Sequence, residues 1–438
     1  MNALAQARRR AELGLLVLAV AVTGAAYTLA SLGQTSSVPA NILPFLGVIA
    51  ALFFTAHVAI RRLAPEADGL IFPLVALLNG IGYVFIARVK PSLAANQATW
   101  TFVGIAAFIL TLLVVRRSRD LERYRYTFLA VGLVLLVLAL VPGLGVSIRG
   151  ARIWVALGPI SFQPGEFAKI ALAISFAAYL VRKREVLSMA TFKVGPFSLP
   201  EPRDLGPVIL AWGFSLLVMF FEKDLGSSLL FFALFITMVW IATQRPAYLV
   251  LGAVLFGAGA YFAWLTFTHV QTRVTIWLDP WDDPSGDGFQ VIQGWFSLAA
   301  GGVTGKGPGL GQPGLIPAAD TDFIFAAIGE ELGLLGGSLV LAAFLLMVGA
   351  GLRIALTADR EFDKLLAAGL TTLLGIQAFI IIGGVTRLLP LTGVTLPFIS
   401  YGGSSLVANY VLLALLLRIS DDSTRRLNEG RVSREAAA

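Results

Sequence analysis

Cysteine is absent from the 438 residues, and histidine occurs only twice. The first absence rules out disulfides and thiolate metal sites. The second, with His57 inside an apolar run and His269 at the end of another, leaves neither a histidine metal cluster nor a Ser/His/Asp triad. Charge is scarce as well, at 13% of residues, so acid–base chemistry falls to a small number of carboxylates. No basic patch interleaved with aromatic residues lies on a soluble segment, so the formal net charge of +7 gives no sign of nucleic-acid binding. The first apolar run lacks a small-residue cleavage pattern, which reads it as a retained helix.

What the chain has in abundance is apolar sequence: 57% hydrophobic residues and a mean hydropathy of +0.82. Runs of about 20 residues, the length that crosses a hydrocarbon core, fall near 13–32, 40–60, 69–87, 98–116, 126–143, 164–181, 205–222, 224–242, 246–268, 323–350, 365–387 and 401–418. The fold class expected is all-α, a polytopic transmembrane helix bundle of about twelve spans, with a large loop at 269–322 between the ninth and tenth. Placing Arg8, Arg9 and Arg10 in the cytoplasm puts Arg61, Arg62, Arg116, Arg117, Arg182, Lys183, Arg184, Arg245, Arg353, Arg360 and Arg418 on the same side. That is the positive-inside bias. Both termini are then cytoplasmic, and the 269–322 loop faces outward.

Most connections are short, as in one compact bundle. The exceptions are an outer loop at 144–163, a charged, proline-containing loop at 182–204, the 269–322 loop and a connection at 388–400. After Arg418 the sequence turns polar and reads as a short, mobile tail. No repeat of fixed period and no matching pair of broken helices marks a transporter.

The polar loop holds the densest group of carboxylates. Asp279, Asp282 and Asp283 fall within five residues, two of them before proline, which disfavours helix there, and Gly286 and Gly288 add turn freedom. A solvated acidic turn or a Ca²⁺ loop is the plain alternative, although the twelfth-position Glu of the calcium loop is missing. Residues 301–309 imitate a phosphate loop, but Gly307 stands where a hydroxyl residue must follow Lys306. Lys306 is therefore either a surface lysine or a contact for a lipid phosphate. Glu166 and Lys169, three apart at the start of the sixth span, can neutralise each other on one helix face. Glu222, Lys223 and Asp224 mark the junction of the seventh and eighth spans. Glu330 and Glu331, being adjacent, point roughly 100° apart on a helix and cannot act as a pair. Arg387 ends the eleventh span, and Ser400 to Ser405 open the twelfth with small residues.

Four ordered segments carry a resemblance. They are Gln163-Pro164-Gly165-Glu166-Phe167-Ala168-Lys169, Asp283-Pro284-Ser285-Gly286-Asp287-Gly288-Phe289-Gln290, Thr321-Asp322-Phe323 through Glu330-Glu331-Leu332-Gly333, and Pro390-Leu391-Thr392-Gly393 through Ser400-Tyr401-Gly402-Gly403-Ser404-Ser405. Together, over about 145–418, the chain resembles the SEDS family of bacterial cell-wall proteins. The run 383–390 is more similar to elongation-type than to division-type members. The resemblance implies a peptidoglycan glycosyltransferase of the bacterial cytoplasmic membrane that polymerises lipid II at the outer face, beside a class B penicillin-binding protein. It also implies that the aspartate of the Asp-Pro-x-Gly-x-Gly segment, here Asp283, is the essential one. Glu166, Lys169, Asp322, Glu330, Ser400 and Ser404 lie in the matching segments and are candidate substrate contacts. Gly165, Phe289 and Asp320 stand where serine, tyrosine and histidine are common. Residues 1–122 are expected to form four helices, two of them additional to the family, before a core at 123–422 and a tail at 423–438.

On this reading Asp283 takes the proton of the acceptor 4-hydroxyl as that oxygen attacks the donor's anomeric carbon. The leaving diphosphate needs charge stabilisation rather than a general acid, unlike the leaving group in glycoside hydrolysis. Candidate cations are Arg149, Arg152, Lys169, Lys223, Arg273, Lys306 and Arg387. A divalent ion, Mg²⁺ or Mn²⁺, on Asp283 and the diphosphate would serve the same end, and no protein metal site is expected. Two other readings stand beside this one: a lipid II flippase with Glu166, Lys169 and Glu330 along a polar path, and a scaffold that only positions its partner.

Overall fold

The computed structural model describes residues 3–40, 42–148, 151–158, 160–188, 192–194, 197–199, 213, 221–222 and 224–437. The helices in chain order are α1 (Ala3–Thr35), α2 (Ile42–Leu63), α3 (Ile71–Val89), α4 (Ala94–Val114), α5 (Ser118–Arg123), α6 (Arg125–Leu138), α7 (Pro164–Ser188), α8 (Leu225–Thr243), α9 (Ala247–Thr266), α10 (Thr268–Leu278), α11 (Phe289–Gly301), α12 (Ile324–Thr357), α13 (Glu361–Val385) and α14 (Gly403–Ala437). Ten helices among the described residues are long and apolar enough to cross a membrane. The chain is an all-α, multi-span membrane protein. Of the other two expected spans, 126–143 is the shorter apolar helix α6 and 205–222 lies almost wholly outside the described residues.

Two compact units divide the chain. The first comprises Met1–Arg116, Thr272–Arg353 and Gln377–Ala438. Its centre is α14, whose most apolar 18-residue window is 94% buried. A helix covered on every side needs no polar stripe, which is why 410–417 reads as unbroken apolar sequence. Glycines let neighbours approach closely: a Cβ on Gly104 of α4 would strike the Tyr410 ring, and one on Gly403 the Trp100 ring. α1 and α2 pack on α3 and α4, and the buried Glu12 of α1 binds His57 Nδ1 at 2.7 Å and the Arg61 guanidinium of α2.

The second unit comprises Arg117–Gln271 and Ile354–Ile376. α6, α7 and α8 pack in sequence order. Pro164 opens α7, where a missing N–H costs nothing. Asp224 caps α8 by accepting from the Ser227 amide at 3.1 Å. By contrast α9 is only 6% buried within the chain, the signature of a helix facing lipid.

Two expectations require correction. The 144–163 loop is a three-stranded antiparallel sheet of β1 (Gly145–Ile148), β2 (Ala151–Leu157) and β3 (Ile160–Phe162), with Val146 opposite Trp154 and Val155 opposite Phe162. Nor does the last span give way to a mobile tail at Arg418, because α14 continues and buries Ser420, Asp421, Asp422 and Ser423. Arg418 donates to the carbonyls of Leu63, Leu112 and Val115, each at 2.7 Å, and so caps the ends of α2 and α4. Asp421 lies 3.4 Å from Arg418 and accepts the Glu66 amide at 2.8 Å.

Candidate active site

The 269–322 stretch is largely ordered by short helices. α10 ends at Leu278, a 3-10 turn spans Pro280–Asp282, and α11 starts at Phe289. Asp279 starts the 3-10 turn by accepting the Trp281 amide at 2.9 Å. Asp283 does the same for the turn that follows. Its Oδ1 accepts the Gly286 amide and its Oδ2 the Asp287 amide, both at 3.0 Å, and its carbonyl accepts the Gly288 amide at 3.0 Å. The side chain remains exposed. Each oxygen keeps further acceptor capacity for a substrate proton.

The two glycines are required by close approach. A Cβ on Gly286 would overlap the Asp283 carboxylate, and one on Gly288 would overlap the carbonyl of Pro280. Any side chain at either place would displace the carboxylate or break the turn. Among the described residues no three His, Asp or Glu side chains converge where a metal ion could sit.

Other motif residues of this unit collect around the same stretch. Arg273 Nη1 donates to the Leu391 carbonyl at 2.7 Å, and a Cβ on Gly393 would come within 3.6 Å of Arg273 Nη2 and 3.7 Å of the Asp322 carboxylate. Ser400 Oγ donates to the Thr321 carbonyl at 2.6 Å and accepts the Leu396 amide at 2.9 Å. The Tyr401 amide donates to the Asp320 carbonyl at 2.8 Å, while the Asp320 carboxylate holds Lys90 at 2.6 Å. The Thr-Asp-Phe and Ser-Tyr-Gly-Gly segments are therefore zipped together. Ser404 is buried beside them at the start of α14. A small cavity of about 30 Å³ lies between Arg273, Trp277, Trp295, Arg387 and Leu391. It admits water and is far too small for a sugar.

The glycine-rich run 301–312 is held by the adjacent acids of α12. Glu330 binds Lys306 Nζ at 2.7 Å, the Gln312 amide at 3.0 Å and Ser297 Oγ at 3.1 Å. Glu331 binds the Gly309 amide at 2.8 Å and Arg88 at 3.2 Å. Together the two side chains fasten one loop, Glu330 at Lys306 and Gln312 and Glu331 at Gly309 between them, and both come close to Gly311. Gly333, at φ +65°, breaks α12 just beyond them. Lys306 is thus already paired with a carboxylate.

The second unit holds the rest. Lys169 Nζ lies 2.9 Å from Glu166 Oε2, both side chains buried. Arg152 is on β2, with Nη2 3.5 Å from the Val141 carbonyl. Glu222 is buried and Asp224 caps α8. Arg149 and Lys223 lie outside the described residues.

Residues 69–425 match the sequence pattern of the FtsW, RodA and SpoVE family, described as "Cell cycle protein". The chain belongs to this family. It is 48% identical over 432 residues to the peptidoglycan glycosyltransferase RodA of Mycobacterium tuberculosis, covering 96% of this chain and 92% of that one. It is 37% identical over 341 residues to a probable peptidoglycan glycosyltransferase FtsW of Geobacter metallireducens, covering 77% and 85%. Among solved structures it is similar to a chain of a peptidoglycan synthase complex described as coordinating polymerization and crosslinking. There the TM-score is 0.67 at 29% identity, covering 82% of this chain and 98% of the other. It is similar also to the rod shape determining protein RodA of Thermus thermophilus, with TM-score 0.57 at 27% identity, covering 81% and 97%. The family pattern starts at residue 69, just before α3, so α1 and α2 precede it.

Proposed function

We infer that this chain is a peptidoglycan glycosyltransferase that polymerises lipid II, with Asp283 as the general base. The acceptor's N-acetylglucosamine 4-hydroxyl loses its proton to Asp283 as its oxygen forms a bond to C1 of the donor's N-acetylmuramic acid. The C1–O bond to the diphosphate breaks, undecaprenyl diphosphate departs, and Asp283 passes the proton to water. The observation that carries this assignment is the turn itself: an exposed carboxylate fixed by two backbone amides and by two glycines that admit no side chain. Fixing a base costs entropy before the reaction and lowers the barrier during it.

Arg273, in the same unit and beside Asp322, is the proposed cation for the departing diphosphate. Within the unit that carries Asp283, Lys306, Glu330, Ser400 and Ser404 hold the motif segments in place; Arg149, Arg152, Glu166 and Lys169 are proposed as further substrate contacts on the strength of the sequence. Asp283 would hold a Mg²⁺ or Mn²⁺ ion together with the substrate diphosphate, and the ion would supply charge stabilisation to the leaving group. The motif loop lies on the outer face of the bacterial cytoplasmic membrane and both termini in the cytoplasm, as the distribution of arginine and lysine supports. A class B penicillin-binding protein is the partner, by analogy with the synthase complex. The test is glycan synthesis from purified lipid II, with and without that partner. Polymer is expected, and its absence in both arms from folded protein overturns the assignment.

A further inference from the structure

Arg387 ends α13 in a left-handed backbone conformation, φ +66°, which L residues with bulky side chains rarely adopt. Strain of this kind persists where the surroundings hold it, and here they do. The guanidinium donates from Nε to the Trp277 carbonyl at 3.1 Å and from Nη2 to the Leu278 carbonyl. Trp277 Nε1 donates back to the Arg387 carbonyl at 3.0 Å. The guanidinium also lies over the Trp295 ring, 4.9 Å from its centroid. The carbonyls of Trp277 and Leu278 are the last of α10, left without partners inside the helix, and a guanidinium there suits the negative end of the helix dipole.

This places Arg387 at the corner that aims the base. One turn after Leu278 the chain passes Asp279 and the 3-10 turn and reaches Asp283. Trp295 lies on α11, the helix that Asp283's own turn initiates. Arg387 therefore ties together the helix before the aspartate turn and the helix after it. A second tie, Arg273 to the Leu391 carbonyl, joins the same two stretches of chain four residues on.

We propose that Arg387 is a positioning residue for the transferase reaction, fixing the α10–α11 corner and through it the Asp283 carboxylate, rather than a cation that grips the substrate diphosphate. The proposal rests on the reading of Asp283 as the base. The two roles differ in what substitution does. A diphosphate-binding cation is partly replaced by lysine, and its loss raises KM. A planar fork that caps two carbonyls and covers a ring is not replaced by lysine, and its loss lowers kcat while KM stays.

The experiment is steady-state polymerisation of lipid II by full-length, detergent-purified Arg387→Ala, Arg387→Lys and Trp277→Phe, with Asp283→Asn in parallel. Monodispersity and thermal unfolding establish that each variant is folded. Positioning gives kcat reduced about 10- to 100-fold in both Arg387 variants with KM within twofold, and a smaller kcat loss in Trp277→Phe, which removes the return hydrogen bond and trims the indole to a phenyl ring while leaving the guanidinium in place. A raised KM that Arg387→Lys restores overturns the proposal, as does unchanged kcat in folded Arg387→Ala while Asp283→Asn is dead. If the Arg387 variants do not fold, Trp277→Phe decides alone: unchanged kcat contradicts the proposal. An active Asp283→Asn instead removes the reading on which the proposal rests.

Discussion

Gly286 lies so close to Asp283 that a single added methyl would overlap the aspartate's carboxylate. The glycine at this position is a condition on where the carboxylate stands. Gly286→Ala is expected to retain the fold, because the turn is exposed, and to lower kcat for lipid II polymerisation about 100-fold by misplacing the base. Activity near that of the unaltered protein would show that the turn does not set the catalytic geometry.

Asp279 and Asp283 are four residues apart and both cap a turn, yet their expected sensitivities differ. Asn caps as well as Asp does, so Asp279→Asn keeps the Trp281 amide bond and retains a substantial polymerisation rate. Asp279→Ala loses the cap and about 1 kcal/mol of stability, to be read by thermal unfolding.

Lys306 and Glu330 are expected to matter through stability more than through binding. Lys306→Ala leaves the buried Glu330 carboxylate with only the Gln312 amide and Ser297, at a cost of about 1–3 kcal/mol, less than for a fully buried pair because Lys306 is partly exposed. Adding Glu330→Gln to that variant should recover some of the loss. A rise in KM for lipid II without loss of stability would instead return Lys306 to the role of a phosphate contact.

The first helix, α1, which precedes the family pattern, reaches the same loop. A Cβ on Gly33 of α1 would strike the Pro308 carbonyl, and one on Gly309 the Ala30 carbonyl, whereas Gly14 faces open space. Gly33→Val is accordingly expected to destabilise the protein by about 1–3 kcal/mol through overpacking and to raise amide exchange across 305–312. Gly14→Val should do neither. Equal behaviour of the two variants would separate α1 from the loop.

Much of this was readable in the sequence, because long apolar runs have one physical solution in lipid. The runs at 246–268 and 323–350 correspond to α9 and α12. Spacing alone leaves Asp279, Asp282 and Asp283 open, and the resemblance to the Asp-Pro-x-Gly-x-Gly segment is what singles out Asp283; the structure adds that a side chain in place of Gly286 would overlap its carboxylate. The end of the last helix was hidden. Arg418, Asp421 and Asp422 look like the edge of the membrane when each charge is counted separately, but Arg418 and Asp421 neutralise each other and cap neighbouring chain ends, so the helix buries them and runs on. Glu330 and Glu331 were misleading for a related reason. Adjacent residues on a helix point roughly 100° apart, and nothing local shows that both side chains reach the same glycine-rich loop. The role of Arg387 was equally invisible, since its partners Trp277 and Leu278 are more than a hundred residues away.

The proposed chemistry turns on one carboxylate, and conversion of purified lipid II to glycan by folded Asp283→Asn tests it most directly. The substitution keeps an oxygen that can accept one of the two amide bonds but removes the base. No polymer above background is expected from a protein that elutes and unfolds like the unaltered chain. A rate within tenfold of the unaltered protein would contradict the account.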